Sequence, residues 1–432
     1  MSDVVTSSLR QPVTSASAVC MRDFDLIFIG GGMVGACAAA LAAANEDLSG
    51  LRIALLDGQP PTRAPEGELD LRVSAVSRAS QHILESLGAW KEIGVEHLSA
   101  YTDMVVWDAQ SRPRGVGSIR FAASECGEPD LGHIVENRRL QWAIYESRPF
   151  RDRVTVLQAP LAALDLESDP AVVTLADGRR LAASLVVGAD GAASASRKFA
   201  AIEATGWDYG QHAFVTHVTT EHLHAHTAWQ RFLPAGPFAF LPLADGRSSV
   251  VWTTQPEHAQ RLLDASLDWV GQELTVGSDK VLGSVAVAGP RAAFPLRLAH
   301  ARHYCKERFV LIGDAAHAVH PLAGQGVNLG FLDAAALVET LGAERAATND
   351  DRSYCELRVL RRYERWRKSE NGIAMGLIDG LNRLFGASSD TVGWVRRTGL
   401  TAVDRSLFVK RALMGRAMGT RGEVPRIARQ LR

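Results

Sequence analysis

Gly30, Gly32 and Gly35 stand in the spacing G-x-G-x-x-G, and an acid, Asp57, closes a second apolar run downstream. Glycines so spaced suit a pyrophosphate. The first permits a tight turn, the second lets backbone N–H groups approach the phosphates, and the third lets a helix pack closely on a strand. Met33 and Val34 fall between the second and third glycines, in the phosphate-facing turn. Asp57 lies at the distance where a carboxylate hydrogen-bonds an adenosine ribose. The alternative for the spacing alone is a tight turn in an ordinary α/β protein.

The second segment runs from Gly313 to Asn328. Gly313 can bring backbone near a ligand, and Asp314 offers a carboxylate to a ribityl or ribose hydroxyl. A turn from Pro321 through Gly324 and Gln325 to Gly326 then opens an apolar run, Val327 to Leu341, that reads as a helix. Its positive N-terminus favours the negative charge that a reduced flavin carries around N1 and the C2 oxygen. His317 and His320 are flavin-proximal hydrogen-bonding candidates, or else satisfied core histidines. The two segments read as grips for opposite ends of one large cofactor, and FAD fits both.

The elements that must position these residues are legible around them. Leu26 to Ile29 reads as a strand, the alanine-rich run to Ala44 as a helix, and Arg52 to Asp57 and Arg308 to Ile312 as further strands. Asp190 follows the apolar run Leu185 to Val187, where an acid also reads as a loop residue or N-cap.

With both glycine segments in place, the chain after Met21 resembles the flavin-dependent aromatic hydroxylases with the para-hydroxybenzoate hydroxylase fold, in particular those of ubiquinone biosynthesis. The resemblance extends through Asp70-Leu-Arg-Val-Ser-Ala-Val-Ser77, Val135-Glu-Asn-Arg-Arg-Leu140, Val187-Gly-Ala-Asp-Gly191, Gln230-Arg-Phe-Leu-Pro234, Tyr363-Glu-Arg-Trp-Arg367 and Asn371. It implies that Asp57 meets the adenosine ribose, that Asp314 lies near the ribityl and phosphate groups, and that Val327 and Asn328 meet the isoalloxazine ring through backbone. It further implies that Arg72 and Asn137 lie near the flavin, and that Asp190 buttresses the phosphates and takes part in NAD(P)H use. Arg72, His317, Pro321 and Gln325 are then the candidates for the flavin face, with no side-chain base identified. The activity implied is ring hydroxylation of a lipophilic prenylated phenol or quinol, with O2 and NAD(P)H, NADPH in preference to NADH. A prenyl-type reductase on the same fold, or a non-enzymatic FAD-binding subunit, are the competing readings.

The rest of the chain constrains this. A second G-x-G-x-x-G and a C-x-x-C are both missing, so disulfide-reductase chemistry is excluded, and the five scattered cysteines fit a reducing cytoplasm. A formal net charge of -1 argues against nucleic acid. His222, His224 and His226 would share one face of an extended strand; a solvated hairpin explains them without a metal. The expected fold class is α/β. A Rossmann-type FAD-binding domain over 23–205 and 293–345 is interrupted by a β-rich substrate domain, 206–292. The alternating runs Phe214 to Thr219 and Arg247 to Thr253 predict that sheet, and Phe232, Phe238, Phe240 and Trp252 are candidates to hold a ring or to fill its core. Residues 1–22 lack an apolar signal core and read as a disordered extension. Residues 346–432 read as helical. From Arg396 to Arg432 there are ten Lys or Arg against two acids, a solvated face or one that meets an anionic membrane or an acidic partner. The location expected is cytoplasmic, with peripheral contact at the inner face of a membrane or within a ubiquinone-biosynthesis complex.

Overall fold

A computed structural model of the chain describes residues 22–61, 69–318, 326–348, 350, 352–386 and 390–429. The first strand, β1 (Phe24–Ile29), is buried beyond its first residue because it lies inside a parallel sheet covered on both faces. It pairs in parallel with β2 (Ile53–Leu56) on one side and Arg180–Gly188 on the other. Val154–Leu157 extends the sheet beyond β2, and Phe309–Leu311 beyond Arg180–Gly188, both in parallel. Helix α1 (Met33–Ala44) follows β1. Its alanines are apolar on every side, and the helix is correspondingly buried between the sheet and the long helix Gly326–Ala347.

The second sheet has eight strands in the order His317–Ala318, Val285–Ala301, Ala204–Thr220, Ser248–Thr254, Gly236–Pro242, Thr227–Leu233, Asp103–Asp108 and Ser118–Ala122. Two of these, Ala204–Thr220 and Ser248–Thr254, hold the alternating runs, while Val285–Ala301 and His317–Ala318 extend beyond the expected boundary at 292. The last two come from 103–122, inside the stretch expected to bind nucleotide, and Asp103–Asp108 joins by a parallel pairing to Thr227–Leu233. A small third sheet, β3 (Val73–Val76), Gly132–Glu136 and Ser99–Tyr101, lies against it.

The two faces of the large sheet are distinct. Phe214, Phe238, Phe240 and Trp252 point to the face covered by helices Pro256–Asp264 and Leu267–Gly277, where they pack on Leu262, Val270 and Leu274. Phe238, Phe240 and Trp252 are therefore core residues and hold no ligand ring. Phe232 lies on the other face and stacks on Phe385 at 3.7 Å between centroids. Residues 221–226 form a loop in which Ala225 and His226 have φ of 48° and 51°, so the three histidines do not alternate along a strand. The rings of His224 and His226 donate to the carbonyls of Leu243 and Ala100.

The chain closes with helices Leu357–Gly386, Asp390–Arg405 and Leu407–Ala417, then returns to pack Ala428 against α2 (Arg78–Ser86). Among the described residues, no helix is long and apolar enough to cross a membrane. All but residue 22 of the expected N-terminal extension lies outside the described residues.

Candidate FAD site

Each glycine of the first segment is required for a different reason. Gly30 has φ +103°, and a Cβ there would lie 2.6 Å from the carbonyl oxygen of Ala189. At Gly35 a Cβ would fall 1.9 Å from the Gly30 oxygen, which seats α1 against the turn. Gly32 is the opposite case: a Cβ there meets nothing within 4 Å, and the residue opens outward as the N-cap of α1. It brings no side chain to the helix's free N–H groups, and the first turn holds no acid. These orphan donors and the helix dipole make the turn receptive to an anion. Met33 and Val34 are half-buried beside it, and Val34 packs where any side chain at Gly313 or Gly330 would stand.

Gly31, unassigned by the sequence, is equally constrained. A Cβ there would lie 2.2 Å from both Asp57 Oδ2 and the Tyr145 hydroxyl. Its carbonyl accepts from Gln141 Nε2 at 2.7 Å and from the Tyr145 hydroxyl at 3.0 Å. Gln141 and Tyr145 are one turn apart on helix Asn137–Glu146, so one helix face holds the turn in place. Burial first, then the Asp57 charge, pushes the Tyr145 phenol up and keeps it a donor. Asp57 closes β2 with Oδ1 accepting from the backbone of Gln59. The Asp190 carboxylate accepts from both serine hydroxyls, Ser194 and Ser196, and from the Ser196 N–H, so it shapes the loop behind Gly30. Arg197, buried, ties that loop to the carbonyls of Ala192 and Ala315.

The second segment is organised by Asp333, a fully buried acid on helix Gly326–Ala347. Oδ2 accepts from the Gly313 N–H at 3.0 Å and from His317 Nε2 at 2.5 Å. Oδ1 accepts from Arg367 Nε at 2.7 Å and Asn371 Nδ2 at 3.0 Å. Burial would raise this carboxyl, but His317 and Arg367 outweigh it and hold the group well below the usual carboxylate range. His317 is thus spent on Asp333, not aimed freely into a cleft. Gly313, at φ +58°, leaves Asp314 to project from the turn. The Asp314 side chain touches solvent yet is hemmed in by protein, as on a cleft wall. That crowding raises its pKa, with His317 opposing and Asp333 adding. Among the described residues no side chain or backbone group bonds its carboxylate, which leaves it available to a ligand hydroxyl.

Nearer the large sheet, Asn328 fastens the start of its helix. Its Oδ1 accepts from Ser77 N and Ser80 Oγ, and its Nδ2 donates to the Ala75 carbonyl. Gly326 and Val327 precede it, half-buried. Asn137 Oδ1 accepts from Ser74 Oγ at 2.7 Å, while Arg72 is exposed and bonds through its backbone to Asn137 and Asp70. A small, largely apolar pocket adjoins β3, lined by Ala75, Tyr101, Met104, Ile134, Ala228 and Leu241, with Gln230 and the Tyr101 hydroxyl as polar points. Burial, then Asp130, pushes the Tyr101 phenol up, so it stays neutral. His320, Pro321, Gly324 and Gln325 lie outside the described residues.

Two helix starts, an open glycine cap and an unpaired carboxylate thus frame one elongated site, and FAD fits the donors they offer. Residues 23–354 match the family described as FAD binding domain. The fold is that of p-nitrophenol 4-monooxygenase PnpA from Pseudomonas putida, with TM-score 0.71, 18% identity, and coverage of 92% of this chain and 99% of that one. The family match and the site together define an FAD-binding protein. The chain is 37% identical to ubiquinone hydroxylase UbiL of Rhodospirillum rubrum, over 96% of this chain and 93% of the relative. It is 33% identical to 3-demethoxyubiquinol 3-hydroxylase of Escherichia coli, over 91% and 98% respectively. The chain belongs to the ubiquinone-biosynthesis flavin hydroxylases, and is an FAD-dependent monooxygenase.

Proposed function

We propose that the substrate is a phenol or quinol with a polyprenyl tail, hydroxylated on its ring with O2 and with NAD(P)H, NADPH in preference, as reductant. The observation that carries this reading is the identity of 37% and 33% to two ubiquinone hydroxylases over 96% and 91% of the chain. A small pocket beside β3, next to the helix start that Asn328 secures, accords with it and is apolar apart from Gln230 and the Tyr101 hydroxyl. In this reading Gly30, Gly32, Met33, Val34 and Gly35 take the pyrophosphate, Asp57 the adenosine ribose, and Gly313 and Asp314 the ribityl chain. Gly326, Val327 and Asn328, with Arg72 and Asn137, border the ring; Asp190 supports the turn from behind. The FAD-binding part comprises 23–205 and 293–345, with strands 103–108 and 118–122, the end of Val285–Ala301 and His317–Ala318 lent to the substrate sheet. Bound FAD supplies the redox chemistry. The chain's own residues orient the ring and exclude water, and the seven cavity residues named above include no acid or histidine to serve as base. The enzyme meets its substrate at a membrane surface or within a biosynthetic complex.

Oxygen uptake and product mass test this, with a prenylated phenol and NADPH added to the purified yellow protein. Product heavier by one oxygen atom, with O2 consumed, is expected. Reduction of a double bond without O2 consumption would establish the prenyl-reductase reading instead.

A further inference from the structure

Most of the C-terminal basic residues stay exposed, among them Arg405, Arg411, Arg416 and Arg421, while some are tied to acids and carbonyls from upstream. Lys410 is buried and bonds Glu125 at 2.8 Å, Arg411 donates to the Glu125 carbonyl, and Arg416 pairs with Glu370 at 3.3 Å. Helix Leu407–Ala417 seats Lys410 and Met414 inward, and Met414 joins Met418 against Ala123 and Leu131. What it leaves exposed is apolar side chains interleaved with Arg411 and Arg416. Phe408 is 80% exposed, Leu407 46%, Leu413 39% and Val409 37%. The Arg416–Glu370 pair sets the end of this helix beside the turn of Leu357–Gly386 that carries two more exposed apolar residues, Ile373 and Leu377.

We propose that this outward face of Leu407–Ala417 is a lipid-surface docking site, entering the headgroup boundary with Phe408 and Leu413. Charge complementarity favours a bilayer as occupant. The helix contains no acid, and Arg405 and Arg421 stay exposed along the same stretch, where anionic headgroups suit them. The four apolar side chains of the helix expose roughly 400 Å² together, about half of the 800 Å² per partner that a stable protein interface buries. Insertion of a few apolar residues needs no such area. The proposal rests on the reading that the substrate carries a polyprenyl tail, which concentrates it in the bilayer.

The test compares FAD-loaded full-length protein with Phe408→Ser/Leu413→Ser and with Arg405→Gln/Arg421→Gln. Sedimentation with phosphatidylcholine vesicles, with and without phosphatidylglycerol, is read at low and high salt. Both residues changed to serine are exposed, so the fold and the FAD content are retained. The apolar double variant is expected to lose about tenfold to a hundredfold in partitioning, and the charge variant only a few-fold. Full-length protein that binds neither vesicle overturns the proposal and leaves the face to a protein partner. Binding abolished by salt or by the arginine changes, but not by the serine changes, overturns it too. Turnover of a soluble short-tailed phenol is followed in parallel. If the unaltered protein fails to hydroxylate that phenol, the functional reading fails, while the vesicle result still decides the docking site.

Discussion

Substituting alanine at Gly32 and at Gly35 separates ligand binding from folding. On propensity alone, Gly35→Ala inside α1 should stabilise the helix by about 1 kcal/mol. The structure reverses the sign, because the new Cβ would lie 1.9 Å from the Gly30 carbonyl oxygen, far inside contact distance. Helix or turn must shift by about an ångström, and overpacking of this kind costs about 1–3 kcal/mol, or roughly 1–3 °C in Tm for a chain of 432 residues. Gly32 has φ −61° and ψ 175°, backbone that any residue adopts, and its Cβ would meet open space. Gly32→Ala should cost the apoprotein no more than about 1 kcal/mol, the preference for glycine over alanine at an N-cap. FAD binding responds in the other order. A branched side chain in Gly32→Val blocks backbone donors whose bonds to a charged group are worth about 1.5–3 kcal/mol each, so affinity falls roughly tenfold to a hundredfold. Thermal unfolding of the apoprotein and titration of FAD by fluorescence quenching read the two effects separately. Gly35→Ala with an unchanged Tm, or Gly32→Val with unchanged FAD affinity, would refute the assignment of the turn.

Asp314→Ala is expected to weaken FAD by roughly tenfold to a hundredfold with the fold intact, measured by the same titration. Tyr145→Phe removes the hydroxyl bonded to Gly31 and is expected to weaken FAD by a smaller factor; unchanged affinity would show that Gln141 alone holds the turn. Asp333→Asn leaves Arg367 buried without its counter-charge and should cost about 3–5 kcal/mol, read by urea unfolding. Because the Asp333 carboxyl is depressed in the fold, its stabilisation is complete above an unfolded carboxylate pKa of about 4 and is lost as pH falls below it. Asp333→Asn should therefore flatten the acid limb of the stability profile. Asp314 has the opposite sign: its raised pKa favours the apo fold at low pH and loses that contribution as pH rises through it, and Asp314→Asn removes this component.

Where the physical constraint is local, the sequence was readable. Gly30 and Gly35 answer to backbone within the same turn or the strand beside it, and the strand–turn–helix frame announces them. Asp333 also carried a signal, an acid inside the apolar run Val327 to Leu341, since a buried carboxylate demands partners. Those partners, Arg367 and Asn371, stood in the motifs quoted for the resemblance. Gln141 and Tyr145 gave no such sign, because they bond a backbone carbonyl about 110 residues away in the chain. Nor does alternation say which face of a sheet is covered. Phe238, Phe240 and Trp252 are set inward by helices that follow later in the chain, and only the register reveals it. Nor does the charge count of the C-terminus say which charges are paired: Lys410 and Arg416 meet acids, Glu125 and Glu370, supplied from far upstream.

The strand Phe309–Leu311 belongs to the nucleotide sheet and His317–Ala318 to the large sheet, with only residues 312–316 between them. So short a tether has no slack to absorb displacement. Asp314 stands within it, and Asp333 grips it at Gly313 and at His317. A shift of the large sheet on taking up its substrate would therefore be transmitted to the residues that face the cofactor, and the reverse holds for cofactor binding. If both occupants displace this joint, their affinities are expected to be linked, and measuring each in the presence of the other tests it.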